Sequence, residues 1–159
     1  MSFYFVVGTE TPRGSEKAGN GLPPVRVLVV EDFVPFRHLI CSKLEEKPGL
    51  QVVCQVADGL EAVQKAEELK PELILLDVGL PSMNGIAVAR EIRKRAPDSK
   101  IIFVSQESSP DVVQEAFNSG ARGYVAKLRV GADLLPAVEA VLEGRQFISS
   151  KLQITLDAG

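Results

Sequence analysis

Three short runs in this chain are apolar almost throughout: VRVLVV at 25–30, LILL at 73–76 and IIFV at 101–104. A strand with one wet face alternates apolar and polar residues, so runs without alternation need cover on both faces. A parallel sheet with helices above and below it meets that need. The intervening segments read as those helices. Residues 34–47 carry Phe36, Ile40 and Leu44 at a spacing of four, with Pro35 in the first turn, where a missing N–H costs nothing. Asp58, Asn84 and Ser109 each stand where a helix N-cap is needed, and Gly120 and Gly144 where a helix should stop. Pro136 predicts that the last helix begins near Ala132 or Asp133, keeping the proline in its first turn. With strands at 50–56 and 123–126 the rhythm gives five strands alternating with five helices. The expected fold class is α/β, an open doubly wound parallel sheet joined by right-handed crossovers.

The length of 159 residues suits one domain, and 45% hydrophobic with 25% charged residues is an ordinary globular composition. We divide the chain into an N-terminal arm at 1–24, rich in Gly, Pro and polar residues, a folded unit at 25–145, and a tail at 146–159. The apolar start FYFVV is read as an edge strand or a contact with a neighbouring chain. Net charge is −3, which gives the whole chain no electrostatic case for gripping nucleic acid. No apolar run is long enough to span a bilayer, and the first residues lack a basic leading region, so the expected location is the cytoplasm. Cys41 and Cys54 sit in apolar segments and read as small buried thiols. His38 lies on the first helix with no second ligand at metal spacing, and reads as helix surface.

In a parallel sheet the ligand site lies past the carboxyl ends of the strands. Those ends carry Glu31-Asp32, Asp77, Ser105 and Lys127. Singly, each has a plain structural reading: a helix cap, a strand-end hydroxyl, a solvated lysine. Together they place three carboxylates, a hydroxyl and an ammonium at one edge. Neighbouring carboxylates raise one another's pKa, and a hard divalent cation such as Mg²⁺ relieves the repulsion. A carboxylate can itself attack phosphorus, with an ammonium and a hydroxyl holding the other phosphoryl oxygens.

The phrases VLVVED, LILLDVGLPSMNG, IIFVS and ARGYVAK, in that order, resemble the receiver domain of two-component response regulators, and GYVAK looks most like the NarL/FixJ-type subfamily. The resemblance implies a five-stranded flavodoxin-like sheet in strand order 2-1-3-4-5. It implies that Asp77 accepts a phosphoryl group from a sensor histidine kinase and that Glu31, Asp32, Asp77 and the backbone carbonyl of Gly79 hold Mg²⁺. Ser105 and Lys127 would bind the phosphoryl group, and Tyr124 would be the switch aromatic that swings inward on phosphorylation. Homodimers formed on phosphorylation are common in the family. Two departures stand out: Leu128 follows Lys127 where many receivers have proline, and the bulky Gln106 follows Ser105. RQFIS resembles the start of the subfamily's linker, which favours the receiver part of a transcription regulator whose DNA-binding domain is absent from this chain over a single-domain regulator.

The expectation is therefore a signalling module rather than an enzyme acting on a separate substrate. A phosphate-insensitive binding module is the first alternative, against which the presence of Asp77, Ser105 and Lys127 argues. A metal-dependent phosphatase is the second, against which the short loops argue.

Overall fold

The structure, a computed structural model, describes residues 4–6, 21–150 and 152. The arm expected over 1–24 and the tail expected over 146–159 therefore fall partly outside the described residues.

Among the described residues seven strands form one sheet: β1 (Tyr4–Val6), β2 (Val25–Val30), β3 (Leu50–Val56), β4 (Leu73–Leu76), β5 (Lys100–Ser105), β6 (Gly123–Ala126) and β7 (Phe147–Ile148). Among the described residues five α-helices connect them: α1 (Val34–Glu45), α2 (Gly59–Leu69), α3 (Gly85–Arg95), α4 (Pro110–Asn118) and α5 (Val130–Leu142). The strand order is β1-β3-β2-β4-β5-β6-β7. The five strands foreseen from the sequence, β2 to β6, are parallel and stand in the expected order. The count of five needs correction. Strand β7 adds a sixth parallel strand beside β6, and β1 runs antiparallel along the outer edge of β3, with Tyr4 opposite Val56. Both additions pair the backbone groups that two edge strands would otherwise leave open.

The unbroken apolar runs are explained by two cores, one on each face. Leu28, Val30, Ile74, Leu76 and Phe103 face α2, α3 and α4, where Val63, Ala66, Val88, Ile92 and Val113 meet them. Their sequence neighbours Val27, Val29, Leu73, Leu75 and Val104 face α1 and α5, against Ile40, Leu44, Leu134, Val138 and Val141. Successive strand residues point to opposite faces, so two dry faces require every position to be apolar.

The caps act as foreseen. Asp58 accepts from the amides of Leu60 and Glu61, Asn84 from Ala87, and Ser109 from Val112. Gly120 and Gly144 have φ of +106° and +87°, the left-handed conformation that ends a helix. Helix α5 departs from expectation. A turn of 3₁₀ helix at Lys127–Arg129 leads into it, it starts at Val130, and Pro136 lies in its interior. A mid-helix proline forfeits one backbone bond. Burial of Leu134, Ala137, Val138 and Val141 along one face holds the helix together across that gap. His38 is exposed, and the basic run on α3 is a solvated face whose Arg90, Lys94 and Arg95 pair with nearby glutamates.

Candidate functional site

Strand β2 delivers Glu31 as its last ordered step: the Glu31 amide donates to the Val56 carbonyl at 3.0 Å, extending the β2–β3 ladder by one residue. Strand β4 delivers Asp77 in the same way, its amide donating to the Val30 carbonyl at 3.2 Å. These two adjacent strand ends bring Glu31 and Asp77 together. Asp32, one step further, is exposed at the rim. Oxygen atoms of Glu31, Asp32 and Asp77 lie within 4.8 Å of one another.

Lys127, the first residue past β6, reaches back across the sheet. Its Nζ lies 2.9 Å from Glu31 Oε1 and 2.9 Å from Asp77 Oδ2, and 4.7 Å from the centre of the Phe36 ring on α1. Ser105 ends β5 and is buried, its Oγ accepting from the Glu107 amide at 3.2 Å. Glu31, Asp32, Asp77, Gly79, Ser105 and Lys127 all line one cleft of about 300 Å³, which Gln106 also borders from an exposed position. Every residue expected at the strand ends therefore reaches a single site. Lys127 precedes a peptide that is trans, and Leu128 beside it is exposed.

The loop after Asp77 is pinned at several points. The Gly79 amide lies 3.4 Å from Asp77 Oδ1 and the Gly85 amide donates to the Val78 carbonyl at 2.7 Å. The Gly59 amide holds the Pro81 carbonyl at 3.1 Å, and the Ser82 hydroxyl donates to Asp58, the cap of α2. Ser82 has a left-handed φ of +69°, a conformation that costs a serine energy and that the bond to Asp58 helps to hold. Asp58 thus caps one helix and anchors the loop that presents Asp77.

Charge in the site is unevenly matched. Burial pushes the Glu31 carboxyl above the usual glutamate range and the neighbouring Asp77 charge pushes it further, against the hydrogen bonds from Lys127 and the Phe33 amide. Burial alone would lower the Lys127 pKa; its bonds and charge pairing with Glu31 and Asp77 outweigh that and raise it. One ammonium thus serves two carboxylates while Asp32 makes no hydrogen bond or ion pair among the described residues. An all-oxygen set with surplus negative charge fits a hard divalent cation, and Mg²⁺ suits a few carboxylates completed by water.

Tyr124, the aromatic expected to act as the switch, lies at the inner end of the site. The side chain is fully buried, its ring centre 6.0 Å from that of Phe103, and its hydroxyl donates to the Glu107 carbonyl at 2.8 Å. The ring therefore lies inside the fold, beside Ser105.

Three residues of this region escaped sequence reasoning. Phe36 was read only as helix core. Arg37 lies on α1 and is buried, with Nη1 donating to the Glu31 carbonyl at 2.9 Å. Ser149, fully buried after β7, donates its amide to the Tyr124 carbonyl and accepts from the Ala126 amide, both at 3.0 Å. Its only sequence signal was a polar residue after the apolar pair Phe147-Ile148.

Stability should fall steeply above pH 9. Burial pushes the thiols of Cys41 and Cys54 from 9.0 up to about 11, and the Tyr124 hydroxyl from 10.0 up to about 12. Between those values the unfolded chain has released protons that the folded chain keeps, so rising pH favours unfolding. The Lys127 ion pairs act in the same direction, present below the ordinary lysine pKa of 10.5 and lost above the raised one. Urea midpoints at pH 8 and pH 11 should differ by the equivalent of a few kcal/mol; equal midpoints would contradict the burial assigned to these groups.

Comparison with known proteins agrees with this geometry. The family model for the response regulator receiver domain matches residues 27–139. The response regulator GacA of Pseudomonas viridiflava is 34% identical over 128 residues, covering 80% of this chain and 60% of GacA. This chain thus spans about three-fifths of that relative's length. A LuxR-family two-component response regulator from Aurantimonas sp. SI85-9A1 superposes with a TM-score of 0.81 at 30% identity, over 85% of this chain and 96% of that one. The signal receiver domain of the response regulator NarL from Mycobacterium tuberculosis gives 0.73 at 29% identity, over 77% and 98%. By fold, by family model and by sequence identity, the chain belongs to the response regulator receiver domain family of two-component systems.

Proposed function

We propose that Asp77 is the phosphoacceptor and that a sensor histidine kinase is the donor. The observation that carries this reading is the position of the Lys127 ammonium, 2.9 Å from both Glu31 and Asp77 beside the buried Ser105. An Asp77 carboxylate oxygen attacks the phosphorus of a phosphohistidine. A P–O bond forms, the P–N bond breaks, and the electron pair returns to the imidazole nitrogen, which takes up a proton from water. Glu31, Asp32, Asp77 and the Gly79 carbonyl would hold Mg²⁺, which supplies neutralisation of the phosphoryl oxygens. Lys127 and Ser105 take the remaining oxygens by charge and hydrogen bond. Lys127 already spans the position, so on transfer it exchanges one carboxylate partner for phosphoryl oxygen.

The output we infer is control of transcription through a DNA-binding domain outside this chain, because relatives such as the transcriptional regulatory protein DegU of Brevibacillus brevis carry that role in their names. Dimerisation on phosphorylation follows the same family pattern, and the location we infer is the cytoplasm. Among the described residues no helix is long and apolar enough to cross a membrane.

Phosphotransfer profiling tests the reading. The chain is mixed with a panel of radiolabelled kinases, with Mg²⁺ and with excess chelator. One kinase should label it rapidly, in Mg²⁺ only, through a bond cleaved by hydroxylamine as acyl phosphates are. No labelling from any kinase, with no shift of cleft resonances in Mg²⁺ and beryllofluoride, would overturn it in favour of a phosphate-insensitive module.

A further inference from the structure

Asp32 poses a problem of aim. It is exposed and makes no hydrogen bond or ion pair among the described residues, yet its carboxylate lies within 4.8 Å of those of Glu31 and Asp77. An exposed side chain without partners samples several rotamers, and its reach into the cleft depends on the backbone beneath it. That backbone is held at four points. The Glu31 amide donates to the Val56 carbonyl, the Phe33 amide donates to Glu31 Oε2 at 3.0 Å, and the Arg37 amide donates to the Phe33 carbonyl at 3.0 Å. The fourth point is the Glu31 carbonyl, which has left the strand ladder and receives the Arg37 guanidinium at 2.9 Å. Arg37 is only 3% exposed, an unusual place for an arginine. The carbonyl of Glu31 and the amide of Asp32 belong to one rigid peptide plane.

We propose that Arg37 is a positioning residue for the divalent-cation site. By holding the Glu31 carbonyl, its guanidinium fixes the Glu31–Asp32 peptide plane and so directs the Asp32 carboxylate into the cleft. The inference rests on the cation role given to Asp32 in the proposed function. Arginine suits the task because its planar fork reaches the carbonyl from the next turn of helix with a direction a flexible ammonium does not impose. Outer groups that orient metal ligands change metal affinity about ten- to a hundredfold when removed.

The experiment is a Mg²⁺ titration of the full chain, followed by amide chemical shifts and by calorimetry. Arg37→Gln should weaken Mg²⁺ binding about tenfold, and Arg37→Lys should recover part of the loss. A purely structural arginine would also weaken binding if its loss loosened the fold, so the deciding measurement is a double-variant cycle. In the Asp32→Asn background the Arg37 substitution should cost little more, because the group it positions is gone. Multiplying losses in the double variant would overturn the proposal, and so would unchanged Mg²⁺ affinity in a folded Arg37→Gln chain. Should Arg37→Gln fail to fold, Arg37→Lys enters the same cycle with the same criteria. The readout is separate from phosphotransfer: a wild-type chain that binds Mg²⁺ but takes no phosphoryl group refutes the proposed function while the cycle still decides the role of Arg37.

Discussion

The Asp77→Asn variant is expected to take no phosphoryl group from any kinase that labels the wild-type chain, and to remain folded. The amide is nearly isosteric with the carboxylate, so the buried position at the end of β4 is still filled. What it loses is the negative oxygen that, in the proposed mechanism, attacks phosphorus. The electrostatic consequences oppose one another. Lys127 loses one of its two carboxylate partners but keeps Glu31 at 2.9 Å. Glu31 loses a repelling neighbour, which lowers its pKa toward the usual value and strengthens its claim on Lys127. Gains and losses of this kind nearly cancel, so the thermal midpoint should move by only a few degrees. Labelling that persists in a folded Asp77→Asn chain, at any residue, would remove Asp77 from the centre of the mechanism. Unfolding would instead show that the remaining Lys127–Glu31 pair does not compensate the loss of the Asp77 charge from a buried cluster.

What the sequence made legible follows from how each feature is encoded. The five central strands announce themselves because two-faced burial needs apolar residues at every position, and caps because Asp58, Asn84 and Ser109 have the one side-chain geometry that reaches the second or third helical amide. The grouping of the candidate residues in one cleft was legible for a related reason: parallel strands collect their carboxyl ends, so residues distant in sequence become neighbours by topology alone. The misses share a different cause. Strand β7 is two residues long and has no period to detect; it exists because β6 offers an open edge and Ser149 can satisfy the Tyr124 and Ala126 backbone. Arg37 gave no signal as a site residue, because the Glu31 carbonyl that receives its guanidinium becomes available only where β2 ends. Pro136 marked a helix start by local rule, and the apolar face of α5 overrode it. The contacts of Tyr124 with the Glu107 carbonyl and the Phe103 ring also follow from its tertiary surroundings rather than from local sequence.

The largest effect outside the proposed acceptor is expected at Gly85, a residue with no side chain and no chemistry. Gly85 opens α3, directly after the Asn84 cap, and its amide bonds the Val78 carbonyl. A Cβ built there would sit 2.0 Å from the Asp77 carbonyl oxygen and 2.8 Å from the Val78 Cα. Both obstacles are backbone, which cannot rotate away as a side-chain tip would. Relief requires moving either the start of α3 or the strand end that carries Asp77. Helix α3 is fixed by Val88, Ala89 and Ile92, all buried in the core beneath it. The strand end is the freer partner, so the clash should displace the Asp77–Val78 peptide and with it the Asp77 carboxylate. Gly85→Ala should therefore cost about 3 kcal/mol or more, far beyond the small gain that alanine brings to an ordinary helix position. Phosphotransfer should also drop in whatever fraction stays folded, because attack on phosphorus tolerates little misplacement. Urea denaturation gives the first quantity and phosphotransfer per folded molecule the second. A variant as stable as wild type would mean that the β4–α3 turn is slack rather than pinned. Full phosphotransfer in a destabilised but folded variant would mean that the turn sets stability without setting the aim of Asp77.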